Sequence, residues 1–218
     1  MIDTVAAAVG TIMLATAVGA GLGLLATRGP RGGRRRVPVA TIVALVVVGV
    51  PTLLQFTAVP SLLDALERDR ERIFAGELWR LVTPIVVQDS GATGAITNLI
   101  SLALVGVVAE WIWGSARWVL IGLGSGLLAE LWGLLVDPVG AGNSVVVYGL
   151  AASVAVAAVL RGRGPARILA VVSLVGAAVL LGVGDLHGGA AAVGAAIGAI
   201  LVFTERTTDA TAESSPVS

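Results

Sequence analysis

Ser144 and His187, the chain's only histidine, stand at the heads of two apolar, glycine-rich stretches, SVVVYGLAASVAVAAVL and LHGGAAAVGAAIGAILVF. An ionisable side chain within an apolar span is costly and marks a functional site by default. A serine hydroxyl becomes a useful nucleophile when an adjacent base takes its proton, and a histidine on a neighbouring helix is the usual base. Acyl transfer by such a pair also needs hydrogen-bond donors placed in advance for the oxyanion. The backbone N–H of Ser144 is one candidate, and the amide of Asn98, early in another apolar stretch, is a second. Tyr148 lies one helical turn beyond Ser144, where its ring can stack on the imidazole, and Gly142 loosens the segment leading to the serine. Asp185 precedes the histidine helix and reads as an interfacial residue rather than a third catalytic acid.

Two helices must bring this pair together, and in lipid helices approach closely where small residues face each other. Gly194 and Gly198 fall on one face with His187, and Gly149 and Ser153 offer a small-residue face on the serine helix. Composition requires the setting to be a membrane. The chain has 218 residues, 56% of them hydrophobic and only 13% charged, which leaves too little polar surface for a water-soluble domain. Fourteen basic residues balance fourteen acidic ones, so no nucleic-acid partner is implied, and the absence of cysteine excludes disulfides and thiolate chemistry. No metal or cofactor is indicated.

A spanning helix needs about 20 apolar residues. Seven candidates follow: Val5–Ala26, Val39–Phe56, Ala95–Trp113, Trp118–Val136, Ser144–Leu160, Ile168–Gly184 and Leu186–Phe203. The acidic N-terminus, MIDTVAAAVG, does not read as a cleaved signal peptide. Arginine-rich loops stay cytoplasmic, so the Arg28–Arg36 cluster, Arg117 and the Arg161–Arg167 loop lie inside, the N-terminus outside and the C-terminus inside. The loop from Thr57 to Gly94, whose arginines are matched by acids, then falls outside, on the same side as Ser144 and His187. It is amphipathic and expected to be partly helical. Trp111, Trp113, Trp118 and Trp132 read as interfacial belt residues, Glu110 as a structural hydrogen-bonding residue and Glu130 as one member of a structural pair.

Several motifs together resemble the rhomboid family. ELWRLVTP, with Trp79 and Arg80, resembles its first-loop WR motif, and Asn98 its second-helix asparagine. GVVAEWIWG, with Gly106, Glu110 and Gly114, resembles its G-x-x-x-E-x-x-x-G stretch; GNSVVVYG resembles the serine segment, and LHGGAAAVG the histidine helix. The likeness runs in order from Glu77 to Ile200. It implies an all-α polytopic membrane fold, a six-helix core preceded here by one extra transmembrane helix. The implied division is residues 1–36 for that helix and its basic loop, 37–204 for the core and 205–218 for a disordered polar tail. It further implies intramembrane serine proteolysis of single-pass membrane proteins with helix-breaking residues near the cut, in a cell membrane with the site facing outward. Ser144 would be the nucleophile, His187 the base, Asn98 an oxyanion donor, Tyr148 a ring support, and Trp79 and Arg80 loop anchors.

Two positions depart from the pattern. Gly94 stands where the family carries a histidine before the asparagine, which removes one oxyanion donor; Gln88, Ser90 and Thr93 are nearby polar substitutes. Val145 stands where the family carries glycine after the serine, which implies a differently shaped or weakened oxyanion loop. These departures support an alternative: a rhomboid-like pseudoprotease that binds client helices without cutting them. A small-solute transporter would require inverted repeats and broken helices, and the sequence has neither.

Overall fold

A computed structural model describes residues 2–27 and 36–213. It is an all-α polytopic membrane protein in which each of the seven expected spans is a helix long and apolar enough to cross a bilayer. The first two are α1 (Ile2–Thr27) and α2 (Val39–Thr57). A connecting segment follows with α3 (Leu62–Leu66), β1 (Arg68–Asp69), α4 (Arg70–Phe74) and two 3-10 turns, Leu78–Leu81 and Thr83–Val86. Then come α5 (Gly91–Trp113), α6 (Ser115–Val136), β2 (Val139–Gly140), α7 (Ser144–Arg161), α8 (Pro165–Gly182) and α9 (Leu186–Glu213). Residues 28–35, the bulk of the basic cluster, and 214–218 lie outside the described residues. The helix of α9 carries on through Glu213, so the tail from 206 to 213 is helical rather than irregular. Glycine and proline are absent from that stretch, and nothing in it stops the helix.

The centre of the bundle is α7. Its residues from Val145 to Ala158 are buried apart from Tyr148, so it has no broad lipid face. A helix walled in on all sides needs no bulk at its contacts, and α7 is built of Ala, Val, Gly and Ser. Around it stand α5, α6, α9, α8 and α1, each packed on α7 and on its ring neighbours, while α2 packs outside on α5 and α6. The lipid-facing side chains of the outer helices remain large and apolar, for example Leu120 and Val175.

The ends of the helices are closed by side chains from elsewhere in the bundle. The carboxylate of Glu110 accepts hydrogen bonds from the backbone N–H groups of Ala40 and Thr41 at 2.8 Å, from the Thr41 hydroxyl and from Ser115. It thereby satisfies the free first turn of α2. Gly114, at φ +77°, makes the sharp change of direction between α5 and α6. Trp113 and Trp118 are buried rather than interfacial: their indoles donate to Ser153 Oγ at 3.1 Å and to Gly106 O at 3.0 Å. At the opposite end from the serine, Arg117 and Arg161 both pair with Glu205.

The connecting segment is partly helical, as its amphipathic pattern predicts, and it is tied down by two arginines. Arg80 is buried, bonds Glu77 at 2.6 Å and donates to the carbonyls of Asp64 and Glu67. Trp79, beside it, is exposed on the outside of the bundle. Arg68 does not pair with a loop acid. It reaches inward to Glu130 at 2.6 Å, with both side chains almost fully buried, and to Asp137 at 3.0 Å. Its own backbone continues as β1, antiparallel to β2. The pairing of Asp69 with Val139 and Arg68 with Gly140 fixes the segment that runs directly into Ser144.

Candidate active site

The seam between α7 and α9 sets the site. A Cβ on Gly194 would run into the carbonyl of Gly149, and one on Gly198 would lie 2.9 Å from Ser153 Cα. The two backbones are therefore in direct contact, as the small-residue pattern predicts. At one end of this seam the N-terminal residue of α7, Ser144, meets the first turn of α9. Ser144 Oγ lies 3.0 Å from His187 Nε2. The Tyr148 ring covers the imidazole with centroids 4.4 Å apart and planes inclined at 40°.

Asp185 corrects the sequence expectation. Its Oδ1 lies 2.8 Å from His187 Nδ1 and also accepts the backbone N–H of His187 at 2.8 Å. The acid caps the helix that carries the histidine, and an N-cap side chain turns back toward the second residue of its own helix. His187 is that second residue, so the local turn carries the carboxylate round to the ring. A carboxylate at Nδ1 selects the tautomer protonated there and leaves Nε2 to accept from the serine hydroxyl. Burial pushes the Asp185 carboxyl upward. Hydrogen bonds from the His187 ring and from the backbone N–H groups of His187 and Gly188 outweigh this and bring it below the usual carboxylate range.

Beside the serine lies a chain of side-chain amides. Asn98 Nδ2 donates to Gln88 Oε1 at 2.8 Å, Gln88 Nε2 donates to Asn143 Oδ1 at 2.9 Å, and Asn143 Nδ2 donates to the Asn98 carbonyl at 3.3 Å. Gln88 is held in turn by Gln55, whose amide donates to the Gln88 carbonyl and accepts its N–H. These contacts leave the second Nδ2 hydrogen of Asn98 for another acceptor. Gly142 keeps that space open: a Cβ there would lie 3.4 Å from Asn98 Nδ2 and 3.5 Å from Ser144 Oγ, and its φ of +153° suits glycine. The Gly142 N–H is committed to Pro84 O, and Asp89 accepts the N–H of Ala141.

Of the two departures, Val145 leaves no mark on the backbone. It sits in the first turn of α7, almost completely buried, and no non-glycine residue among those described has a positive φ. Gly94 lies against Ser90, into which a Cβ at that position would run. Gln88 occupies the buried place beside Asn98. Of the groups the structure brings together, Gln55, Asn143 and Asp185 are not among the site residues that the sequence indicates. Their signal was available: each is a polar residue at the end of an apolar helix, where a side chain must find a partner.

Ser144, His187, Tyr148, Asn98 and Gly142 line one cavity of about 710 Å³. Its polar floor also includes Asp89, Arg68 and Glu130, and its apolar wall comes from α1 and α5. Among the described residues there is no group of side chains able to hold a metal ion.

No family model matches the chain. Over 78 residues it is 35% identical to the Bacillus subtilis (strain 168) protein named "Putative rhomboid protease YdcA". The match takes in 34% of this chain and 39% of that protein, so the chain spans well under half of the relative's length.

Proposed function

We propose that this chain is a rhomboid-type intramembrane serine endopeptidase, with the extra helix α1 preceding a six-helix core. The observation that carries the reading is the contact of Ser144 Oγ with His187 Nε2 at 3.0 Å inside a cavity among membrane-spanning helices. The partial likeness to a protein bearing a rhomboid protease name supports it. In this mechanism Ser144 Oγ attacks the scissile carbonyl carbon while His187 Nε2 takes the hydroxyl proton. Asn98 Nδ2 and the backbone N–H of Ser144, the first residue of α7, donate to the oxyanion. The C–N bond then breaks as His187 returns the proton to the leaving amine, and an ester to Ser144 remains. Water attacks the ester with His187 again as base, releasing the carboxylic acid and restoring the serine. Asp185 holds the imidazole in the required tautomer throughout, and Tyr148 fixes its plane.

Substrates are single-pass membrane proteins whose helix unwinds near the cut. The arginine asymmetry supports a site that faces outward. The pseudoprotease alternative drew on Gly94 and Val145. The helical backbone at Val145 and the buried Gln88 beside Asn98 weaken both grounds.

A fluorophosphonate probe tests the reading on the detergent-solubilised chain. Labelling is expected in the native protein and absent in Ser144→Ala and His187→Ala. Folded native protein that takes no label would overturn the catalytic reading and return the chain to the client-binding alternative.

A further inference from the structure

Between the end of α6 and the start of α7 runs a stretch without helix, residues 137–143. Each of its residues is held by one from the connecting segment. Arg68 holds Asp137, and the Arg70 N–H donates to the Pro138 carbonyl at 3.0 Å. Asp69 and Arg68 pair with Val139 and Gly140. Asp89 accepts the N–H of Ala141, the Pro84 carbonyl accepts that of Gly142, and Gln88 donates to Asn143. These contacts, rather than a helical ladder, decide where Ser144 begins.

Arg68 joins this stretch to the interior of α6. Its Nη1 donates to Glu130 at 2.6 Å, its Nε to the Asp137 carbonyl at 2.8 Å and its Nη2 to the Asp137 carboxylate at 3.0 Å. The guanidinium is seated between two glycines. A Cβ on Gly133 would lie 2.7 Å from its Cζ, and one on Gly140 would lie 3.0 Å from Nη2. Neither glycine has a positive φ, so it is the guanidinium and not the backbone that requires a small residue there. A buried ion pair adds little stability over apolar side chains of the same volume. What arginine adds is direction, because its planar fork offers several donors at fixed angles. Arg68 and Glu130 border the same cavity as Ser144 and His187.

We infer that Arg68 is a positioning residue for the nucleophile. Its fork, seated on Glu130 and Asp137, sets β2 against β1, and β2 in turn sets the backbone that delivers the Ser144 hydroxyl to His187 Nε2. The inference rests on the proteolytic reading for its catalytic consequence, while the placement of Ser144 can be read without any reaction.

Arg68→Lys separates charge from direction. The ammonium still neutralises the buried Glu130, so the fold should persist, but one ammonium cannot serve Glu130 and both Asp137 oxygens in the arginine geometry. The chain has a single histidine, so untagged protein labelled with [15N]histidine gives one imidazole spectrum in detergent. In native protein the Nε2 resonance should differ from that of Ser144→Ala, which lacks the hydroxyl donor. In Arg68→Lys it should move most of the way to the Ser144→Ala position. The maximal rate of fluorophosphonate labelling should fall by about 10–10²-fold with the half-saturating probe concentration unchanged, as expected when a reacting atom is misplaced and the binding cavity is not. Gly140→Ala, whose methyl presses on Nη2, should shift both readings in the same direction by less, and it decides the matter should Arg68→Lys not fold. Val48→Ala, a buried truncation in α2, should lower the thermal midpoint and leave the resonance and the rate per folded molecule native.

A folded Arg68→Lys in which either reading stays native would overturn the inference, and so would a native resonance in Gly140→Ala if that variant has to decide. Equal movement in Val48→Ala would mark the effect as general loosening and overturn it as well. Native protein that takes no label would refute the proteolytic reading alone, and the resonance would then decide by itself whether Arg68 places Ser144.

Discussion

The two ends of the α7–α9 seam are built to opposite rules. Around Gly149, Ser153, Gly194 and Gly198 the helices are in backbone contact, without room for a methyl group. Two turns away the same pair of helices holds a half-exposed imidazole, a carboxylate and a serine hydroxyl at the edge of a large cavity. The inner contact dictates the outer one. Helices held at that distance by glycine cannot shift without separating Ser144 from His187, so the packed end supplies the precision that the open end uses.

That dependence is broken most completely at Gly194. Leucine there would have to occupy the space of the Gly149 carbonyl, and backbone cannot give way as a flexible side chain can. Gly194→Leu should abolish fluorophosphonate labelling although it lies two turns from the serine, and its thermal unfolding in detergent should show a lost or sharply lowered transition. Near-native labelling by this variant would mean that the seam does not position the pair.

Asp185→Asn acts on the open end alone. Asparagine still caps α9, so the fold should persist, but an amide can donate to Nδ1 and favour the wrong tautomer. The comparable exchange in a soluble Ser-His-Asp triad costs about 10⁴ in rate. In this half-exposed setting the labelling rate should drop by about 10²–10⁴, with unchanged thermal stability. The pH dependence has a definite sign. A carboxyl held below its ordinary value of about 3.9 contributes stability above that pH and loses it as pH falls through the folded value. Asp185 should therefore produce no titration step of its own in the native labelling profile between pH 5 and 8.

A smaller effect is expected one shell further out. Gln88→Leu removes the acceptor that orients the Asn98 amide, leaves Gln55 its backbone contacts to residue 88, and deprives Asn143 of its donor. Loss of an oxyanion donor outright costs about 10²–10³, and misorienting one should cost less, about tenfold to a hundredfold in labelling rate. An unchanged rate would remove the amide chain from the mechanism.

The parts of this architecture that were legible in sequence are those governed by short-range periodicity. Seven apolar runs became seven helices, and the small residues of the Ser144 and His187 stretches met as their spacing implies, because in lipid close packing follows directly from side-chain size. What was not legible depends on partners distant in the chain or on a local turn. Arg68 reads as a loop charge until β1 and β2 pair and bring it over Glu130. Trp113 and Trp118 read as interfacial until their indoles find acceptors inside the bundle. Asp185 reads as interfacial until α9 forms: a residue two positions before the histidine reaches its ring only because it also caps the helix.

The same limit applies to Val145, and here the two ends of the seam make the smallest and sharpest prediction. A glycine at this position would be needed if the backbone after Ser144 took a positive φ. In this chain α7 starts at Ser144, so residue 145 is already helical and its side chain points into the core. Val145→Gly should therefore bring no gain in labelling rate. It should instead lower stability, by about 2 kcal/mol from lost burial together with the helix penalty of glycine, read as a reduced thermal midpoint. A rise in labelling without loss of stability would mean that the start of α7 unwinds during reaction, and that the oxyanion donors come from a loop rather than from a helix end.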